Sequence, residues 1–244
     1  MLRIMLGSLV FSLAGCVANF DHAKARYQLE NSSLQIADEN NESIESIRAL
    51  RPQLTFPCKL AVYLHPSEYN QWEWTSEDKK ILEAWGMELQ RKNVVQNAFL
   101  LPGMLLGEKK DLRSLRVAAA KCGADALLVV QGGTATDDYM NPAAALNLTV
   151  VGGFVIPASH CDALFIAQSL LVDVNNGFVY ASAEGEGKGS VIRPTFIIES
   201  SAAINQAKTQ ALQNLGPQIA KHMVDLKTRA HTPLTFPRYH PEIK

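Results

Sequence analysis

No stretch of this 244-residue chain is both long and apolar enough to cross a membrane as a helix, which takes about 20 residues. The run that starts at Ile4 is interrupted by Gly7, Ser8 and Ser12, and the run from Asn141 to His160 by Gly152-Gly153 and Pro157. A basic surplus is missing too. The chain sets 23 Lys and Arg against 24 Asp and Glu, a formal net charge of −1, which argues against a nucleic-acid partner, because such surfaces are strongly basic. Cysteine is scarce, with only Cys16, Cys58, Cys122 and Cys161. No two of these stand at metal-ligand spacing, and no histidine is spaced with a carboxylate in a zinc or acid–base pattern, so no metal and no cofactor is expected.

What is present begins at the N-terminus. Met1-Leu2-Arg3 puts one positive charge ahead of a short apolar run that ends in small residues, the layout of a secretory signal, expected over residues 1–15. Leu13-Ala14-Gly15-Cys16 resembles the bacterial lipoprotein box, in which the Cys thiol takes a diacylglyceryl thioether, the signal is cut before it, and the new amine is acylated. Cys16 is therefore the expected lipidation site. Each buried methylene contributes about 0.8 kcal/mol, and more than one chain makes the anchor stable rather than reversible. By analogy with the lipoprotein pathway, Val17 rather than Asp after Cys16 favours the outer membrane, on its periplasmic face, in a Gram-negative cell. The remaining three cysteines fit either one bridge with a free thiol or three free thiols.

Residues 16–54 read as a lipidated N-terminus and polar tether, able to carry a short helix, because "LENSSLQIADENNESIESI" has no sustained apolar period. Residues 55–230 read as one α/β domain. Its first strand is "KLAVYLHP", followed by a helix capped by Thr75 or Ser76 with Ile81, Leu82, Trp85 and Leu89 on one face, then the strand "VVQNAFLLP". Asp111 caps the next helix, in which Leu112, Leu115 and Ala119 align and which Gly123 terminates. The strand "ALLVVQGG" is nearly continuous in apolar character, as expected of a strand covered on both faces at the sheet centre. An antiparallel hairpin of Asp162–Val174 and Phe178–Gly187 turns at Asn175-Asn176-Gly177. The fold class is thus α/β: a mixed sheet of about five strands, β-α-β-α-β plus a hairpin, packed by helices. The last of these runs from about Ser200 to Arg229 and is expected to kink or split at Gly216-Pro217. Its inner face is Ile204, Ala211, Leu212, Leu215, Ile219, Met223 and Leu226. Residues 231–244 form a Pro-rich extended tail.

Several stretches mimic chemistry. "AEGEGKGS" lacks the GxxxxGK[ST] spacing of a phosphate loop and reads as a flexible strand exit. "DVNNG" misplaces the oxygen ligands of a calcium loop. "SHCD" gathers Ser159, His160, Cys161 and Asp162, but neighbours on an extended chain point to opposite faces, so it reads as a polar lead-in to a strand. A hydrolase using His160 and Asp162 is the least favoured reading, and no catalytic residue is assigned. The apolar insertion 141–160 is either a cover over the sheet or a lip meeting the bilayer or another subunit. Its candidate contact residues are Leu148, Val150, Val151, Phe154, Val155 and Ile156.

The order of these pieces, with "GADALLVV" followed by "LLVDVNNG", resembles bacterial envelope lipoproteins whose domain is similar to the N-terminal domain of TolB. That group includes the penicillin-binding-protein activators and the curli-secretion lipoprotein. Within it, "LNLTVVGGFVIPA" with "LLVDVNNGFVYASAEGEG" looks most like the rhombotarget lipoprotein family, over about Thr55 to Ser201. The resemblance implies a non-enzymatic envelope lipoprotein, an adaptor binding another envelope protein through a sheet edge or the insertion. The alternative it implies is an oligomeric component of an export or pore assembly.

Overall fold

The computed structural model describes residues 20–31, 43–67, 71–106, 111–140, 157–194 and 200–231. At its centre is one mixed sheet in the order β2-β1-β3-β4-β5. The strands are β1 (Cys58–Leu64), β2 (Val95–Leu100), β3 (Ala126–Met140), β4 (Pro157–Asp173) and β5 (Val179–Pro194). β1 is parallel to both β2 and β3, while β4 is antiparallel to β3 and to β5. The helices are α1 (His22–Asn31), α2 (Ile44–Ala49), α3 (Ser76–Arg91), α4 (Leu112–Lys121) and α5 (Ser201–His231).

The local signals act as expected. Thr75 caps α3 in a reciprocal box with Asp78, and Asp111 accepts from the Ser114 amide at the start of α4. Gly123 after α4 and Gly177 in the β4–β5 turn take φ of 74° and 76°, a region closed to most side chains. Asn176 beside Gly177 is not in it. β3 occupies the sheet centre, with Leu127, Leu128, Val129 and Val130 all buried.

Alternation splits the core in two. Leu60, Val62, Leu128, Val130 and Phe165 face α3 and α5, joined by Leu82, Leu89, Leu212, Leu215 and Met223. Ala61, Tyr63, Leu127, Val129 and Val172 face α4. Further along that second face, Ala135, Leu164 and Ile166 are covered by Ala25 and Leu29 of α1. The stretch read as a polar tether therefore holds a docked helix at His22–Asn31, because Ala25, Gln28 and Leu29 are buried against the sheet.

Three other expectations change. β3 runs well past the Ala126–Gly133 read from the sequence and β4 begins before the expected Asp162, so that the two pair over Ala126–Met140; beyond Leu64 they project without β1 beside them. α5 is a single helix with Pro217 inside it, so the split alternative does not occur. A missing donor and a clash disfavour Pro in an isolated helix, but here the flanking Leu215, Ile219 and Ala220 are anchored in the core.

The third change concerns "AEGEGKGS", which is no loose exit but the packed middle of β5. Gly185, Gly187 and Gly189 point at α5, where an added Cβ would lie 2.3, 2.0 and 2.1 Å from the carbonyl oxygens of Ala211, Ala207 and Ala203. Two strand residues advance about 6.6–6.8 Å and four helix residues about 6.0 Å, so a Gly every second residue meets an Ala every fourth. From the same helix, Gln206 and Gln210 accept from the Ser190 and Lys188 amides, and Asn214 and Gln218 donate to the Glu186 and Glu184 carbonyls. α5 thus packs on β5 and closes its outer edge, which would otherwise be a template for strand addition.

Candidate functional site

Between α1 and α4 the second face of the sheet is left partly open, forming a cleft of about 440 Å³. Its floor combines apolar Val129 and Leu170 with Gln131, Gln168, Ser182 and Glu184. Gln131, Gln168 and Glu184 come from three adjacent strands and are opposed in register. They form a polar row: Gln131 Nε2 donates to Gln168 Oε1 at 3.3 Å, and Gln168 Nε2 donates to Glu184 Oε2 at 2.8 Å. Arg26 of α1 ends the row, donating to Glu184 Oε1 at 2.7 Å. Burial works against ionisation of Glu184, but the hydrogen bonds from Gln168 and Arg26 and the guanidinium charge outweigh it and hold its carboxyl below the ordinary value. The row's donors and acceptors bind one another, which ties β3, β4 and β5 to α1 across the floor of the cleft.

α1 is fixed over the sheet by more than that row. Gln28 accepts from the Thr134 amide on the β3 edge that β1 leaves open, and its amide donates to Gln71 Oε1 at 2.8 Å. Gly133 gives α1 room, since a Cβ there would meet the Ala25 carbonyl oxygen at 2.2 Å.

A second polar cluster lies on the opposite face. Lys208 of α5 and Asp78 of α3 pair at 2.7 Å with side chains 1% exposed each. Lys208 also donates to the Glu73 carbonyl and lies 5.9 Å from the ring centres of Trp72 and Trp74. Asp78 Oδ2 accepts from the Thr75 amide and hydroxyl as well. With its charge so engaged, Lys208 clamps α5 to the α3 N-terminus.

Each residue singled out in the sequence can now be placed. Cys16 and the insertion residues Leu148, Val150, Val151, Phe154, Val155 and Ile156 lie outside the described residues. "SHCD" belongs to β4 proper, so its two faces separate: Cys161 and Asp162 are buried, while His160 and Asp162, two apart, share a face. Both engage Tyr139, whose hydroxyl donates to Asp162 Oδ2 at 3.0 Å and whose ring stacks on His160 at 5.1 Å. Asp173 of "DVNNG" is buried, accepting from the Tyr180 hydroxyl and the amides of Gln53 and Asn175. Burial first, then that hydrogen bond, raises the Tyr180 hydroxyl above its ordinary value. Cys58, Cys122 and Cys161 are free thiols. Cys58 is pushed up to about 12 by burial, with the Asp125 charge adding to it, so it stays a protonated, inert thiol. Among the described residues no group of His, Cys, Asp and Glu could hold a metal ion, and no helix is long and apolar enough to cross a membrane.

The sequence reading missed the Gln row and the Lys208–Asp78 pair. A signal existed for the first: Gln131 and Gln168 each interrupt an otherwise apolar strand, in "ALLVVQGG" and "ALFIAQSLLV".

No family model matches the chain, and no curated protein matches it. Solved structures of bacterial proteins are similar to it over much of their length. A PelC dodecamer from Paraburkholderia phytofirmans is 14% identical, with 70% of this chain and 93% of that one covered at a TM-score of 0.32. The LpoB C-terminal domain from Salmonella enterica is 14% identical, covering 55% and 84% at 0.31. Lipoprotein GNA1162 from Neisseria meningitidis is 13% identical, covering 69% and 99% at 0.32. Likeness at this level assigns no family and transfers no activity or assembly.

Proposed function

We propose that this chain is a lipid-anchored, periplasm-facing envelope lipoprotein that acts without catalysis, as an adaptor or accessory protein binding another envelope protein. The observation that carries the reading is Leu13-Ala14-Gly15-Cys16 after a short apolar run, with Cys16 as the acylated first residue of the mature chain. The finer kinship, with the rhombotarget lipoproteins, rests on the motifs quoted from the sequence. Partner contact is assigned to the apolar residues between Leu148 and Ile156 and to the hydrogen-bonding cleft over Gln131, Gln168 and Glu184. Strand addition at β5 is disfavoured, since α5 amides occupy that edge between Glu184 and Ser190.

Replacing Cys16 by Ser tests the reading. Membrane fractionation should find the wild type with the outer membrane and the variant in the soluble periplasmic fraction, with crosslinked envelope partners lost alongside. Equal membrane retention of both proteins would overturn the anchor, and an absence of any crosslinked partner from the wild type would overturn the adaptor role.

A further inference from the structure

The N-terminal helix limits where Cys16 can lie relative to the sheet. α1 crosses the sheet with Phe20 ahead of it, packed by Ala135, Leu164 and Ile166 and with the Lys188 ammonium 4.8 Å from its ring centre. His22 pairs with Glu186 and Arg26 with Glu184, which places the start of α1 toward the projecting end of the hairpin. Phe20 follows Cys16 by four residues, a span of at most about 14 Å even when fully extended. The row Ala135, Leu164, Lys188 is four strand residues from the row Tyr139, His160, Ile192, or about 13 Å along the strands. In the other direction nine residues separate Ala135 from Ala126 beside the Asn175–Gly177 turn, about 30 Å. Cys16 thus comes within reach of the projecting end and cannot reach the turn.

The projecting end has the chemistry for that position. Met140 and Ile192 are 64% and 55% exposed there, as are Met104 and Ile44 elsewhere on the surface. Tyr139 shares a row with His160 and Ile192, its ring stacked on His160 and its hydroxyl donating to buried Asp162, while Met140 faces the other side of the sheet. The sheet end thus carries an exposed large apolar side chain on each face, Met140 on one and Ile192 on the other, which an edge-on approach to a bilayer would bury.

Resting on the lipid-anchor reading, we propose that the end of the sheet bearing Tyr139, Met140 and Ile192 docks on the lipid bilayer as a second foothold beside the Cys16 lipid. The domain then stands with its strands directed away from the membrane and its β4–β5 turn outermost.

The test uses acylated full-length protein in phosphatidylethanolamine/phosphatidylglycerol vesicles. A polarity-sensitive fluorophore is placed on Ile192→Cys, on Met140→Cys, or on Lys121→Cys at the far end, each in a Cys122→Ser background. Lipids with a spin label shallow in the acyl chain should quench the probes at 192 and 140 by at least twofold and leave the one at 121 unchanged. Vesicle flotation is read on the same samples. Flotation without quenching at 192 and 140 overturns the docking and leaves the anchor intact. Protection of those probes from aqueous iodide without lipid quenching also overturns it, and assigns the end to a protein contact. Failure to float, with wild type and Cys16→Ser alike, overturns the anchor and the docking together.

Discussion

Lys208 illustrates what one residue can do once it is out of water. Its ammonium is held by Asp78, by the Glu73 carbonyl and near two indole rings, so its loss would strand the Asp78 carboxylate in an apolar core. Lys208→Met should lower unfolding free energy by about 3–5 kcal/mol, because a broken buried pair leaves an uncompensated charge. Urea denaturation measures this. Adding Asp78→Asn should recover part of the loss, since a neutral amide can still accept from Thr75; a double variant weaker than Lys208→Met would contradict the charge argument. The position was legible in part. Lys208 lies four residues after Ile204 and three before Ala211, on the inner face of the helix as read from spacing. Its partner was not legible, because Asp78 also reads as a routine cap residue and 130 positions of chain separate the two.

At the scale of elements, α5 against β5 joins two features that look unrelated in sequence. A Gly-x-Gly-x-Gly strand and a helix with Ala203, Ala207 and Ala211 are each unremarked alone; in contact, backbone meets backbone. Gly187→Ala should destabilise by about 1–3 kcal/mol, as overpacking a closed contact does, since the new Cβ would meet a main-chain oxygen that cannot swing aside. Gly103→Ala, with nothing within 4 Å of its Cβ, should stay within about 0.5 kcal/mol. Chemical denaturation of both variants separates a packing effect from a general penalty on glycine replacement. Equal midpoints would dismiss the contact. The capped helices, the Gly-ended α4 and the Asn-Gly turn were all readable, because each depends on residues a few positions apart. The length of β3 was not. Past Gly133 its side chains Thr134–Asp138 are mostly polar or small, and β4 pairing maintains the strand there.

For the whole molecule the decisive contact is α1 on the open face, which shortens the leash between any anchor at Cys16 and the domain. Part of that contact responds to pH. The Glu184 carboxyl lies below its ordinary value, so the contribution of its pairing to stability is full above the ordinary range near 4.5 and is lost as pH falls through the depressed value. Observed by NMR, the Glu184 carboxyl should titrate below that ordinary value in the wild type and move up toward it in Arg26→Gln. Backbone signals of His22–Asn31 should shift with it. An unchanged midpoint in the variant would show that Arg26 is not the cause.

What the sequence determined by itself was local and periodic: the order of the strands and of the helices between them, their caps and turns, and which faces are apolar. Hydrophobic period and turn chemistry act over a few residues, so they survive being read in one dimension. Only the tertiary structure decided that His22–Asn31 is docked on the sheet, that glycines inside β5 admit a helix, that Gln131, Gln168 and Glu184 form one row, and that Lys208 meets Asp78. Each of these pairs residues distant in the chain, and each is set by close packing and desolvation, which exist only after the sheet has assembled.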